Sequence, residues 1–168
     1  TGGLPRPSWF TANLDRRAFS VAMADRVYRE QYLDTLAAHF IDQARSGIDL
    51  MVDGDSRFDD DIAGRGWFAY AFERIKGLGD PEMSNALIAS NRDKLPGDIM
   101  YEVIETRLPP TVVDRVDRGP LEYDKVWKAA QGLTDKPVKF GGISAQIIEA
   151  IVNNEHYKDR RELVTDLS

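Results

Sequence analysis

The sequence predicts an α/β fold, and three observations carry the prediction. Strand-like apolar runs alternate with stretches of helical periodicity, and the runs are short with few polar interruptions. Glycine or proline punctuates the joins, as at Ser46-Gly47, Pro109-Pro110 and Gly141-Gly142. Strands alternating with helices of this length imply βαβ units around a parallel sheet, here with a hairpin inserted. At 168 residues the chain is expected to form a single domain, residues 1–168, with an irregular and hairpin insertion over about 77–118.

From Asp15 to Arg45 the pattern is helical: Leu33, Leu36, Ala37, Phe40, Ile41 and Ala44 recur on one face, with Arg29, Glu30, Asp34 and Gln43 off it. Ser46-Gly47 supplies the stop, because glycine enters the left-handed conformation of a helix end without a Cβ clash. Ile48 to Val52 then reads as a short strand with Asp49 as its one polar residue. A second helix is expected with Trp67, Tyr70, Ala71 and Arg74 on one face and Phe68, Phe72 and Ile75 on another, its aromatics serving as core. Residues 77–98 are broken by glycines and prolines and read as irregular. Tyr101 to Leu108 and Thr111 to Asp117 have strand composition, separated by Pro109-Pro110, which cannot sit in a central ladder. Leu121 to Leu133 is a helix with Val126, Trp127 and Ala130 inward. Lys136 to Phe140 is a strand and GGIS a turn. Ala145 to Val152 is a helix with Ser144 as N-cap, and Asp159 to Ser168 begins a last helix.

Composition excludes several functions. The 42% hydrophobic content suits a packed core, and the net charge of -6 without a basic stripe argues against nucleic acid. The chain has no cysteine, so disulfides, thiolate metal sites and cysteine nucleophiles are ruled out, and His39 and His156 are its only nitrogen ligands. His39, beside an apolar helix face, reads as structural, and His156 as an exposed loop residue. TGGLPRPSWF lacks a basic region leading into an apolar one, and nowhere do eighteen apolar residues run on. No membrane partner is expected, and the location is read as cytoplasmic. Thr1-Gly2-Gly3 matches what removal of an initiator methionine leaves, so a natural start is expected. DGDSRFDDD is not an EF-hand loop starting at Asp53, since Phe58 and Gly64 replace the required glycine and glutamate.

Three stretches together resemble the cobalamin-independent methionine synthase family. TGGLPRPSWF at 1–10 is similar to its opening V-G-S-Y-P-R-P-x-W-L, and GIDLMVDGDSR at 47–57 to G-L-D-I-V-T-D-G-E-x-R. The most specific is Pro109-Pro110, then Trp127, then AAQGLTDKPVKF at 129–140, similar to A-Q-S-L-T-x-K-P-V-K-G at matching distance from a P-P pair. The resemblance implies a (β/α)₈ TIM barrel that activates a thiol on zinc for methyl or alkyl transfer. Such a barrel needs about 250 residues, and this chain matches only its N-terminal half. The family's zinc ligands, a histidine, two cysteines and a glutamate, belong to the other half. A second protein chain is therefore expected to complete the barrel and bring the zinc, unless this chain is a fragment of a longer one.

The same resemblance assigns a substrate-binding set of Gly2, Gly3, Asp55 and Arg57 for a small-molecule thiol, with no catalytic or metal-binding residue in this chain. Asp55 stands where the family has a glutamate that holds the substrate's amino group, and Gly3 replaces its serine, leaving backbone donors at Gly2 and Gly3; without the resemblance, the residues read as a solvated Asp-Gly turn and an N-terminal strand with flexible glycines. Arg57 is placed to neutralise Asp55. Ile151 stands where folate-using members stack a tryptophan on the pterin, and Ile143-Ser144-Ala145 replaces their T-G-P turn. Both departures count against methyltetrahydrofolate as donor, and Asp114-Arg115 departs from the usual Gly-Asp pair. An enzyme half is the leading expectation. The rivals are a non-catalytic interaction or scaffolding subunit of the same fold, and a standalone α/β binding domain.

Overall fold

The computed structural model describes residues 3, 4, 6–57, 70–79 and 110–168. In chain order its elements are α1 (Phe19–Ala22), α2 (Arg26–Arg45), β1 (Met51–Val52), β2 (Lys76–Leu78), β3 (Thr111–Asp117), α3 (Tyr123–Gln131), β4 (Val138–Lys139), α4 (Ala145–Ile151), β5 (Asn153–Asn154) and α5 (Arg160–Leu167). They fall into two compact units, Thr1–Arg74 with Pro120–Gly142, and Ile75–Gly119 with Ile143–Ser168. Two expected pieces, the helix start around Trp67 and Phe68 and the strand over 101–108, lie outside the described residues.

In the first unit, the single helix expected from Asp15 is two. Asp15 and Arg16 have φ of 51° and 58°, outside the helical region. Asp25 then starts α2 afresh, its carboxylate accepting from the backbone N–H of Val27 at 2.9 Å and Tyr28 at 3.4 Å. The stop is the expected one. Gly47 has φ of +75°, its N–H donates to Ala44 O, and that of Ile48 donates to Gln43 O, each at 3.0 Å. This pair of bonds is a Schellman motif.

The buried face of α2 is rotated from the expected stripe. Tyr28, Tyr32, Thr35, Leu36, Phe40 and Gln43 are buried, while Ala44 and Ile41 are exposed, Ile41 at 51%. The row Tyr28, Tyr32, Leu36, Phe40 runs at i, i+4 spacing and brings three aromatic rings inward, more apolar area than the aliphatic alternative. Tyr32 lies edge-on to Phe19 at 5.2 Å and stacks on Tyr28 at 5.9 Å. Phe10, Leu14, Met51, Tyr70, Val126, Ala130 and Val138 fill the rest of this core.

Both strands of this unit are shorter than expected. β1 and β4 pair in parallel, Met51 opposite Val138, and Ile48 and Leu50 are exposed instead of entering the strand. Helix side chains satisfy the backbone beyond the ladder. Gln43 Nε2 donates to Val52 O and Val52 N–H donates to Gln43 Oε1, both at 2.8 Å. On β4, Val138 N–H donates to Gln131 Oε1 at 3.0 Å, and Trp127 Nε1 donates to Val138 O at 2.9 Å. Trp127, expected on the inner side of its helix, is 39% exposed with its indole N–H bound to the strand.

The second unit is a sheet of order β2-β3-β5, with β3 antiparallel to β2 and parallel to β5. Val112 and Val116 of β3 and Leu163 of α5 form its core, with Ile75, Leu78, Val152, Tyr157 and Leu167 packed around them. Gly77, at φ +83°, lets β2 pass β3 closely, since a Cβ there would sit 2.5 Å from Arg115 O. Ser144 caps α4 as expected, accepting from Ile147 N–H at 3.4 Å, and Asp159 caps α5 through Arg161 N–H at 2.9 Å.

Candidate functional site at the end of β1

Beyond Val52 the chain turns through Asp53, Gly54, Asp55, Ser56 and Arg57. Gly54 has φ of +69°, and its carbonyl accepts from Leu4 N–H at 2.8 Å, so the turn is held from the N-terminal segment. Asp55 also takes a left-handed conformation, φ 50°, which aspartate tolerates better than most residues. Asp53 explains why. Its Oδ1 accepts from the Asp55 N–H at 3.1 Å, closing an Asx turn, and its Oδ2 accepts from Arg57 Nη1 at 3.0 Å.

Arg57 is 1% exposed, and the two terminal nitrogens of its guanidinium each reach a carboxylate, a fork that only arginine supplies. Nη1 reaches Asp53, and Nη2 donates to Asp55 Oδ1 at 2.7 Å. Its central carbon lies 5.1 Å from the Tyr70 ring centre and 5.0 Å from that of Phe140, within cation–π range of both. Tyr123 of α3 packs on both rings, at 5.7 and 5.0 Å, and Tyr70 OH donates to Leu121 O at 2.5 Å. Behind the turn, Ser56 Oγ donates to Asp53 O at 2.9 Å and lies 3.2 Å from His39 Nδ1.

One guanidinium therefore faces two carboxylates, and the turn carries a net negative charge. Burial pushes the Asp55 carboxyl above its ordinary range, with Arg57 opposing and Asp53 adding to the rise. For Arg57 burial works downward, but Asp53 and Asp55 outweigh it and its pKa is raised. Burial holds His39 below the usual histidine value, against the pull of Asp42 and Asp53. Burial, reinforced by Asp53, raises the Tyr32 hydroxyl. Among the described residues, Tyr32 OH and Arg57 Nε are buried without a hydrogen-bond partner.

Of the residues singled out from sequence, Asp55 and Arg57 are brought into contact. Gly3 is exposed, one residue before the Leu4 bond to the turn, and Gly2 lies outside the described residues. Arg57 sits beneath the carboxylates, out of reach of solvent. Asp114 and Arg115 are exposed on β3 of the second unit, where Arg115 pairs with Asp166 at 3.0 Å, and Ile151 ends α4, 40% exposed. Sequence reasoning passed over Gln43 and the full burial of Asp53. The row Tyr28, Tyr32, Leu36, Phe40 is the signal that would have found Gln43, because the next turn of that face falls on residue 43.

No group of three or more histidine, aspartate or glutamate side chains that could hold a metal occurs among the described residues, and the chain has no cysteine. The thiolate and imidazole donors that a zinc centre prefers are therefore not assembled in the described part of this chain. No helix among the described residues is long and apolar enough to cross a membrane.

Fold and site define an α/β chain whose strand end carries a buried carboxylate–guanidinium turn. No family model matches it. A methionine synthase of Saccharolobus solfataricus is 26% identical over 168 residues, covering 99% of this chain and 44% of that protein. The structure of a B12-independent methionine synthase from Shewanella sp. W3-18-1, in complex with selenomethionine, is similar in fold: TM-score 0.64, 18% identity, 98% of this chain and 42% of that one. The chain is methionine-synthase-like, as its three motifs imply, and spans less than half the length of the relatives it matches.

Proposed function

We propose that this chain is one half of a methionine-synthase-like barrel that transfers a methyl or alkyl group to a thiol, and that Asp55 holds the cationic amino group of an amino-acid thiol. The observation that carries the reading is the state of Asp55. It follows the C-terminal end of β1, on the face where barrels of this kind place their chemistry. One oxygen is fixed on Arg57 while the side chain keeps 18% exposure, and the neighbouring charge leaves an excess of one carboxylate. An ammonium group supplies the cation that this arrangement lacks.

The role of this chain is binding and orientation: Asp55 accepts from the ammonium, and Arg57 holds Asp55 from below. Zinc comes, on this reading, with the second polypeptide: this chain has no cysteine to offer it a thiolate. That the chain spans less than half the length of the relatives it matches supports the reading as a half barrel.

Two measurements test the reading. Native mass spectrometry of the purified material is expected to find a co-purifying chain rich in histidine, cysteine and glutamate ligands, with about one zinc per complex and only background zinc on this chain alone. In the assembled complex, Asp55→Ala is expected to abolish thiol alkylation. Full activity of that variant would leave a scaffolding role in its place, and stoichiometric zinc on the isolated chain would refute the division of labour.

A further inference from the structure

We infer that Asp53 is a positioning residue for Asp55, acting both through the backbone and through a guanidinium that the two carboxylates share. The inference rests on the reading of Asp55 as the ligand-holding group and goes beyond it by naming what aims that group. Asp53 is buried, 5% exposed at its side chain, so it does not touch a ligand itself. Its two oxygens do different work. Oδ1 accepts from Asp55 N–H at 3.1 Å and holds residue 55 at φ 50°, which sets the direction in which its side chain leaves the backbone. Oδ2 anchors Arg57 Nη1 at 3.0 Å, which places Nη2 at 2.7 Å from Asp55 Oδ1. The guanidinium cannot drift, because Tyr70 and Phe140 lie against it at 5.1 and 5.0 Å. Upstream, Gln43 holds Val52 on both its N–H and its C=O, so Asp53 leaves the strand from a fixed point. Asp55 is thus aimed by a chain of contacts from α2, through Val52 and Asp53, to Arg57.

Among the described residues, the charged and titratable groups around Asp55 are Asp53 and Arg57 from its own turn and Tyr123 from α3. An NMR titration of the Asp55 carboxyl in the full chain, free of ligand, reads the arrangement directly. Asp53→Asn keeps an oxygen to accept from Asp55 N–H but removes a negative charge and leaves Arg57 to Asp55 alone. The Asp55 midpoint is expected to fall while its amide resonance stays in place. Asp53→Ala should displace that amide resonance as well. Arg57→Lys replaces a fork that spans two carboxylates by a point charge that serves one, and the Asp55 midpoint is expected to rise. An Asp55 midpoint unmoved by Asp53→Asn would overturn the inference. Should that variant fail to fold, an unmoved midpoint in Arg57→Lys would do the same. The titration needs no ligand, so its result is separate from whether Asp55 binds an amino acid, which the Asp55→Ala activity assay decides.

Discussion

Arg57→Met removes the charge that neutralises a buried carboxylate while keeping a flexible side chain of similar length in the slot between Tyr70 and Phe140. Arg57 is 1% exposed and the Asp53 side chain 5%, so after the substitution Asp53 stays inside without a counter-charge. Breaking a buried pair by deleting one partner costs about 3–5 kcal/mol, most of it the penalty of the charge left behind. That is a large part of the roughly 5–15 kcal/mol that holds a domain of this kind folded. With a urea m-value of about 2 kcal/mol per molar, the unfolding midpoint falls by roughly 2 M. Tryptophan fluorescence is the right probe, because Trp9 and Trp127, the tryptophans among the described residues, belong to the first unit. One internal check follows from the cause. Asp53→Asn added to Arg57→Met recovers most of the loss, since no charge is then stranded. A cost below about 1 kcal/mol, the scale of a solvated surface pair, would refute the claim that this ion pair is buried and organises the turn.

Gln43→Leu removes two 2.8 Å bonds to Val52 and should cost about 1–3 kcal/mol by urea unfolding, with Asp55 loosened as a consequence. Gly77→Ala forces a Cβ to within 2.5 Å of Arg115 O at φ +83°, so more than about 1 kcal/mol should be lost from the second unit, seen by circular dichroism and silent in tryptophan fluorescence. His39 has its folded pKa below 6.5, so the unfolded chain takes the proton first and stability falls as pH drops from 6.5 toward the folded value; His39→Gln should flatten that part of the profile. Asp55 runs the other way: its folded pKa is raised above 3.8, so its contribution grows as pH falls through the folded value toward 3.8, and Asp55→Asn should remove that gain.

Local chemistry made the helix ends readable. Gly47 after Ser46 ends α2 and Ser144 starts α4, because a glycine or a hydroxyl at a cap acts through its immediate neighbours. Strand β3 was readable too, its three valines and a threonine giving it strand composition directly after Pro109-Pro110. The expected strands at 48–52 and 136–140 shrink to two residues each, since a strand's length depends on what pairs beside it, and here glutamine side chains take the place of further ladder bonds. The buried face of α2 was misplaced because counting aliphatic residues ignored three tyrosine and phenylalanine rings. Asp55 and Arg57 were legible through a resemblance carried by DGDSR. The burial of Asp53 was not, because nothing local shows that Tyr70 and Phe140, thirteen and eighty-three positions from Arg57, close over its guanidinium.

The aspartate at position 55 is the point where this chain departs most tellingly from the family pattern, which has glutamate there. Dropping one methylene draws the carboxylate back by about 1.5 Å. In this turn the shorter side chain meets Arg57 at 2.7 Å while the backbone holds φ 50°, a conformation eased by the Asp53 oxygen on its N–H. The retraction recesses the negative charge toward Arg57. On the proposed reading, the ammonium of an amino-acid thiol then comes deeper toward β1 to reach this carboxylate than it would to reach a glutamate. Asp55→Glu tests this: it should weaken the hold on Arg57 and shift preference toward amines that stop short of the turn. If amine preference is unchanged while stability falls, position 55 answers to packing alone.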